Sequence, residues 1–90
     1  MKWTVVWLKG AESDLAAIWN AGPDRQAVAD ASNSIDSLLQ RDPENLGESR
    51  LGDDRVVVVD PLLVQFHVSN DDCLVSVFDV RRSASAHGGP

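Results

Sequence analysis

The sequence predicts a two-layer α+β domain of order β-α-α-β-β-β, with a helical hairpin packed on one face of a four-stranded, mainly antiparallel sheet. Three observations predict it. A β-branched and aromatic run, Trp3 to Leu8, opens the chain. Two helix-periodic stretches then meet at Ala21-Gly22-Pro23, and three short apolar segments at close spacing follow a polar loop.

Trp3-Thr-Val-Val-Trp-Leu8 is too short for a typical helix and rich in strand formers, so it reads as the first strand. From Ala11, Leu15, Ile18 and Trp19 fall at helical spacing, with Glu12 and Asp14 where the N-terminal dipole favours acids. Gly22-Pro23 ends that helix and turns the chain. A second helix is expected from about Asp24, its buried stripe marked by Val28, Ala31, Ile35, Leu38 and Leu39, with Asp30, Ser34 and Asp36 off the stripe. It must stop by Asp42, because Pro43 disfavours helical geometry in the residue before it. Two helices joined by so tight a turn form a hairpin.

Residues 43–54, PENLGESRLGDD, read as loop. Arg55-Val-Val-Val-Val-Asp60 is the second strand and stops at Pro61, and Leu62 to Ser69 alternates as the third. Asn70-Asp71-Asp72 supplies a hairpin turn, and Leu74 to Arg81 is the last strand. The pattern leaves the neighbour of the first strand open, with the edge beside the last strand as its working position. The tail from Ser83 to Pro90, which includes His87, has no large apolar group to bury and is expected to be unstructured.

Composition bounds the function. Ninety residues, 43% hydrophobic and 24% charged, make one globular domain with no second core. No apolar run approaches the ~20 residues that span a bilayer, and the N-terminal apolar stretch is too short for a signal peptide. A single cysteine, Cys73, excludes an internal disulfide and a thiolate zinc site. The expectation is a cytoplasmic protein. The net charge of −6 is the wrong sign for a protein held to nucleic acid by phosphate neutralisation. Half of the basic residues are nevertheless Arg50, Arg55, Arg81 and Arg82, whose planar forks suit phosphate or carboxylate.

In the third strand Val64, Phe66 and Val68 share one face and Gln65, His67 and Ser69 the other. The first set should lie beneath the helices, which points Gln65 and His67 to an uncovered face. Partner-binding candidates are therefore Arg50, Arg55, Gln65, His67, Arg81 and Arg82. No metal and no cofactor is expected: one histidine lies in the folded part, the turn aspartates lack the spacing of a calcium loop, and no phosphate-binding glycine motif or nucleophile elbow occurs.

The element order and several short motifs resemble the RelE/ParE superfamily of small bacterial toxins from type II toxin–antitoxin pairs, also called the plasmid stabilisation family. The resemblance runs over residues 1–82. It is carried by Val5-Val6-Trp7, Ala11 with Asp14-Leu15-Ala-Ala-Ile-Trp19, and Ile35-Asp36 with Leu38-Leu39 and Asp42-Pro43. Gly47-Glu-Ser-Arg50, Pro61-Leu62 with Val64, Phe66-x-Val68 and Val75-x-Val77-x-x-Val80-x-Arg82 complete it. The resemblance implies a compact toxin, a cognate antitoxin that wraps over it on the open sheet face, the helical-hairpin groove or both, and one of two actions: messenger RNA cleavage on the ribosome, or inhibition of DNA gyrase without cutting nucleic acid.

The ribonuclease branch supplies lysines around the second strand, an arginine early in the third, an arginine after the fourth and a C-terminal tyrosine. Here the lysine region reads Gly52-Asp53-Asp54, Leu63 stands at the third-strand arginine, and the chain has no tyrosine. Only Arg81 or Arg82 matches the arginine after the fourth strand. His67 as acid/base with Arg55 and Arg82 on phosphate is the one catalytic set left, since an imidazole titrates near neutrality. With most of the set missing, the reading leans to a non-enzymatic toxin acting by protein–protein contact. Ribosome-dependent cleavage, or a non-toxic binding module on the same fold, stand as the alternatives.

Overall fold

The computed structural model describes residues 3–49 and 52–83. The chain runs β1 (Thr4–Trp7), α1 (Lys9–Ala21), α2 (Arg25–Arg41), a 3-10 turn at Pro43–Asn45, β2 (Glu48–Ser49), β3 (Asp54–Val59), β4 (Leu62–Ser69) and β5 (Leu74–Arg82). The strands form one sheet in the order β1-β5-β4-β3-β2, with β1 parallel to β5 and every other pairing antiparallel. Both helices pack on one face.

The sheet therefore has five strands where the sequence predicts four. The extra strand is the pair Glu48–Ser49, opposite Val56 and Arg55 of β3. It is made possible by Gly47, whose φ of +70° swings the chain back alongside β3. Arg55 fixes the same bend, donating from Nε to the Leu46 carbonyl (2.9 Å) and from Nη2 to that of Gly47 (3.3 Å). Two residues are too few to show an alternation, so this segment reads as loop from sequence.

The core lies between the helices and the covered sheet face. Val28, Ala31, Ile35 and Leu39 of α2 and Ala11 of α1 meet Val57, Leu62, Val64, Phe66, Val68, Val75, Val77 and Val80. Each large aliphatic or aromatic group so buried contributes about 1.5–3 kcal/mol. Leu38, expected in the buried stripe, is only half-buried; a helix of 17 residues turns that position to its flank. The α2 terminus behaves as expected: the Asp42 N–H reaches the Leu38 carbonyl (3.1 Å), and Pro43 stops the helix. The other end of the parallel pair is closed where the Thr4 N–H reaches the carbonyl of Cys73 (2.9 Å), a turn residue at φ +51°.

Along β5 the residues Val75, Val77 and Val80 are all buried, although the last interval is odd. A β-bulge reconciles them. Gln65 opposes Asp79 while its neighbour Phe66 opposes Val77, so Phe78 is the extra residue. The bulge returns Val80 to the core and puts Arg82, two residues on, on the helix side. Ser83, which the sequence places in the tail, is buried: its N–H reaches the Pro61 carbonyl (2.8 Å) and its hydroxyl bonds Asp60. The rest of the tail expectation, residues 84–90 with His87, falls outside the described residues, as does Arg50.

Candidate functional site

Among the described residues, no helix covers the second sheet face. Strand alternation and pairing place on it Val6 of β1, Glu48 of β2, Asp54, Val56 and Val58 of β3, Leu63, Gln65 and His67 of β4, and Ser76, Asp79 and Arg81 of β5. Its polar groups bond to one another. His67 Nδ1 lies 2.8 Å from Asp54 Oδ1, on the residue directly opposite. Gln65 donates to Asp79 Oδ2 (2.8 Å), and Arg81 Nε reaches the same oxygen (2.9 Å). Of the six candidates, Gln65, His67 and Arg81 thus share the open face.

Arg55 and Arg82 do not join them. Arg55 opposes Phe66, on the covered side, where its guanidinium holds the Gly47 bend. The small polar hollow beside it also contains Glu44 and Asp53, whose carboxylates oppose an anionic ligand. Arg82, carried to the helix side by the bulge, grips Asp24 through Nη1 (2.7 Å) and Nη2 (3.2 Å), and Nη2 also reaches the Ile18 carbonyl (3.4 Å). It is a clamp between the end of β5 and the turn of the helical hairpin. The catalytic set of His67, Arg55 and Arg82 is therefore not assembled: the imidazole lies on one face of the sheet and both guanidiniums on the other. Arg81 shares the face with His67, but its partner Leu63 is four positions from His67, roughly 13 Å along the strand. The Arg81 guanidinium is bonded to the Asp79 carboxylate instead.

The hydrogen bond from Arg82 holds the Asp24 carboxyl below its ordinary value of 3.8, and the same bond raises Arg82. A depressed carboxylate stabilises the fold above its unfolded pKa, and that contribution is lost as pH falls through the folded pKa. Arg82→Ala is thus expected to melt earlier than the parent at neutral pH. The difference should close in acid, below the ordinary carboxylate range, and paired thermal melts across that range check it.

The second surface expected to receive an antitoxin, the groove of the helical hairpin, is also present. Trp7, Leu15, Ala16, Trp19, Val28 and Ala29 line a mainly apolar groove of about 550 Å³, edged by Glu12, Ser32, Asn33 and Asp36. Trp7 donates from Nε1 to Asp36 (3.0 Å), and Gln40 grips the other oxygen of that carboxylate (2.8 Å). Trp19 remains 40% exposed, with the Arg25 guanidinium 4.6 Å above its ring. Among the described residues no group of three or more His, Cys, Asp or Glu is placed to hold a metal, and no helix is long and apolar enough to cross a membrane.

A helical hairpin on one face of a five-stranded sheet, with a parallel first strand at its edge, defines a class found among small toxins. This chain has the RelE/ParE superfamily fold, as the sequence resemblance implied. It superposes on a chain of the RelBE2 toxin–antitoxin complex from Mycobacterium tuberculosis with a TM-score of 0.74 at 19% identity, covering 92% of this chain and 100% of that one. A chain of the chromosomal ParDE TA system from P. aeruginosa gives 0.70 at 22% identity, covering 89% and 95%. The isolated E. coli RelE toxin gives 0.63 at 12% identity, covering 93% and 90%. No family model and no curated protein matches the sequence.

Proposed function

We propose that this chain is the toxin component of a bacterial type II toxin–antitoxin pair, cytoplasmic and non-catalytic, which acts by protein–protein contact and is neutralised by a cognate antitoxin. The observation that carries the non-catalytic reading is the dispersal of its arginines. Arg55 and Arg82 are spent on backbone carbonyls and on Asp24, and Arg81 is bonded to Asp79. In-line RNA cleavage needs cations gathered around one phosphate. The fold supports the toxin reading, because its structural counterparts include toxin–antitoxin complexes. The groove on the hairpin supports an antitoxin: an apolar trough beside two tryptophans suits the apolar stripe of an amphipathic helix.

Induced expression in a bacterial host tests the reading. The expected result is growth arrest that persists in His67→Ala and is relieved by co-expressing the neighbouring reading frame. Trp19→Glu should keep the arrest and weaken that rescue by about tenfold or more, since a buried aromatic anchor carries roughly 2 kcal/mol or more of an interface. Gyrase-linked DNA breaks would identify gyrase as the target. Ribosome-dependent mRNA cleavage abolished by His67→Ala would replace this reading with the enzyme, and no arrest at all would leave a binding module.

A further inference from the structure

We infer that the uncovered sheet face is a docking surface for a basic segment of the target protein, one that carries apolar side chains between its cations. The inference rests on the toxin reading above and adds the chemistry of its partner.

Two apolar islands stand on this face. Val6 (39% exposed) opposes Ser76 on β5, two residues before Phe78 (38% exposed). On the far side Val58 (50% exposed) opposes Leu63. Between them lie the paired polar groups, and their charge is one-sided. Glu48, Asp54 and Asp79 are carboxylates, while Arg81 is the one guanidinium among the described strand residues of the face. Such a surface repels a phosphate backbone and attracts cations.

The carboxylates are also held in place before any partner arrives. Asp54 is oriented by His67, and Asp79 by Gln65 and Arg81 from two directions. Acceptors fixed in this way cost less ordering on binding. Asp54 and Asp79 are two strands apart, and their β4 partners His67 and Gln65 two residues apart, which separates them by about 12 Å. An extended segment covers that distance in roughly four residues, so lysines or arginines at that interval meet both acids while apolar groups between them reach the islands. The hairpin groove, by contrast, is edged by Glu12 and Asp36 on the opposite side of the molecule and is a separate surface.

The test uses the full chain, isotope-labelled, titrated with a short synthetic peptide in which lysines stand four residues apart with a leucine midway between them, on the same side of the extended chain, and followed by amide NMR. The expected result is shifts confined to Val6 and to 54–58, 63–67 and 76–81. Affinity should fall roughly five- to tenfold in the Asp54→Asn/Asp79→Asn chain, the size expected from losing two partly exposed charge pairs, and fall with salt as well. A glutamate–leucine peptide and a single-stranded RNA should leave these amides unmoved. Equal binding of the acidic peptide, shifts confined to the hairpin groove, RNA binding to the face, or undiminished affinity in the folded double variant would each overturn the inference. Growth separates the two readings. If the parent and the folded double variant arrest cells equally, the docking inference fails and the toxin reading stands. If the parent never arrests but the peptide behaves as described, the toxin reading fails and the basic-segment surface stands.

Discussion

Phe66→Ala is expected to lower stability by about 3–5 kcal/mol, a loss that urea denaturation would show as a large drop in midpoint at nearly unchanged slope. Phe66 is fully buried between α2 and the covered sheet face, surrounded by Ile35, Leu39, Val64 and Val77 of the same core. Ile35, Val64 and Val77 are β-branched and stiff at χ1, so they refill a benzyl-sized cavity poorly. Against a total of some 5–15 kcal/mol, such a loss leaves the chain close to unfolding. The adjacent His67 faces the other way and is paired only with Asp54 at a half-exposed position. His67→Ala should stay within about 0.5 kcal/mol of the parent. Comparable losses at both positions would contradict the facing of β4.

Gly47→Ala carries the second large effect. A methyl group there would be driven into the backbone carbonyl of Val56, at a φ of +70° that L-residues rarely adopt. The obstacle is main chain, so no side-chain rotation relieves it, and the left-handed conformation alone costs about 1–2 kcal/mol. The expected total is roughly 3 kcal/mol, with β2 released from β3. Hydrogen exchange at Val56, which is opposite Glu48, would report that release directly. Unchanged protection there would mean that the bend tolerates a side chain.

The residues explain which parts of this architecture can be read in advance. The helical hairpin and the alternation of β4 were legible because Val28, Ala31, Ile35, Leu39 and Val64, Phe66, Val68 repeat with the periods of their elements. Those periods are local, and burial enforces them. β2 was not legible, since its existence depends on one glycine and on an arginine reaching back nine residues. The face of each arginine was equally hidden. Arg55 follows simple alternation opposite Phe66, but its target is a carbonyl that no pattern marks. The fate of Arg82 needed both the bulge and an aspartate 58 residues away in sequence. The hairpin groove was expected as an antitoxin surface, but the exposure of Trp19 in it was not, because Trp19 shares the spacing of Leu15 and Ile18 and spacing alone does not say how much of a large ring the partner helix covers. What the residues did disclose was a missing set of cations: Asp53, Asp54 and Leu63 occupy the stretch where the resemblance leads one to expect lysines and an arginine in a ribonuclease.

The bulge in β5 has a consequence for Phe78. Without that residue, Val77 would still oppose Phe66, Asp79 would still oppose Gln65, and Val80, Arg81 and Arg82 would keep their present partners. The strand would only become straighter. Phe78 is therefore the one position of β5 that the pairing can do without, and its ring stays outside the core cluster and partly exposed. A dispensable vertebra that bears an aromatic side chain is free to change with whatever the surface meets, at little risk to the framework beneath it.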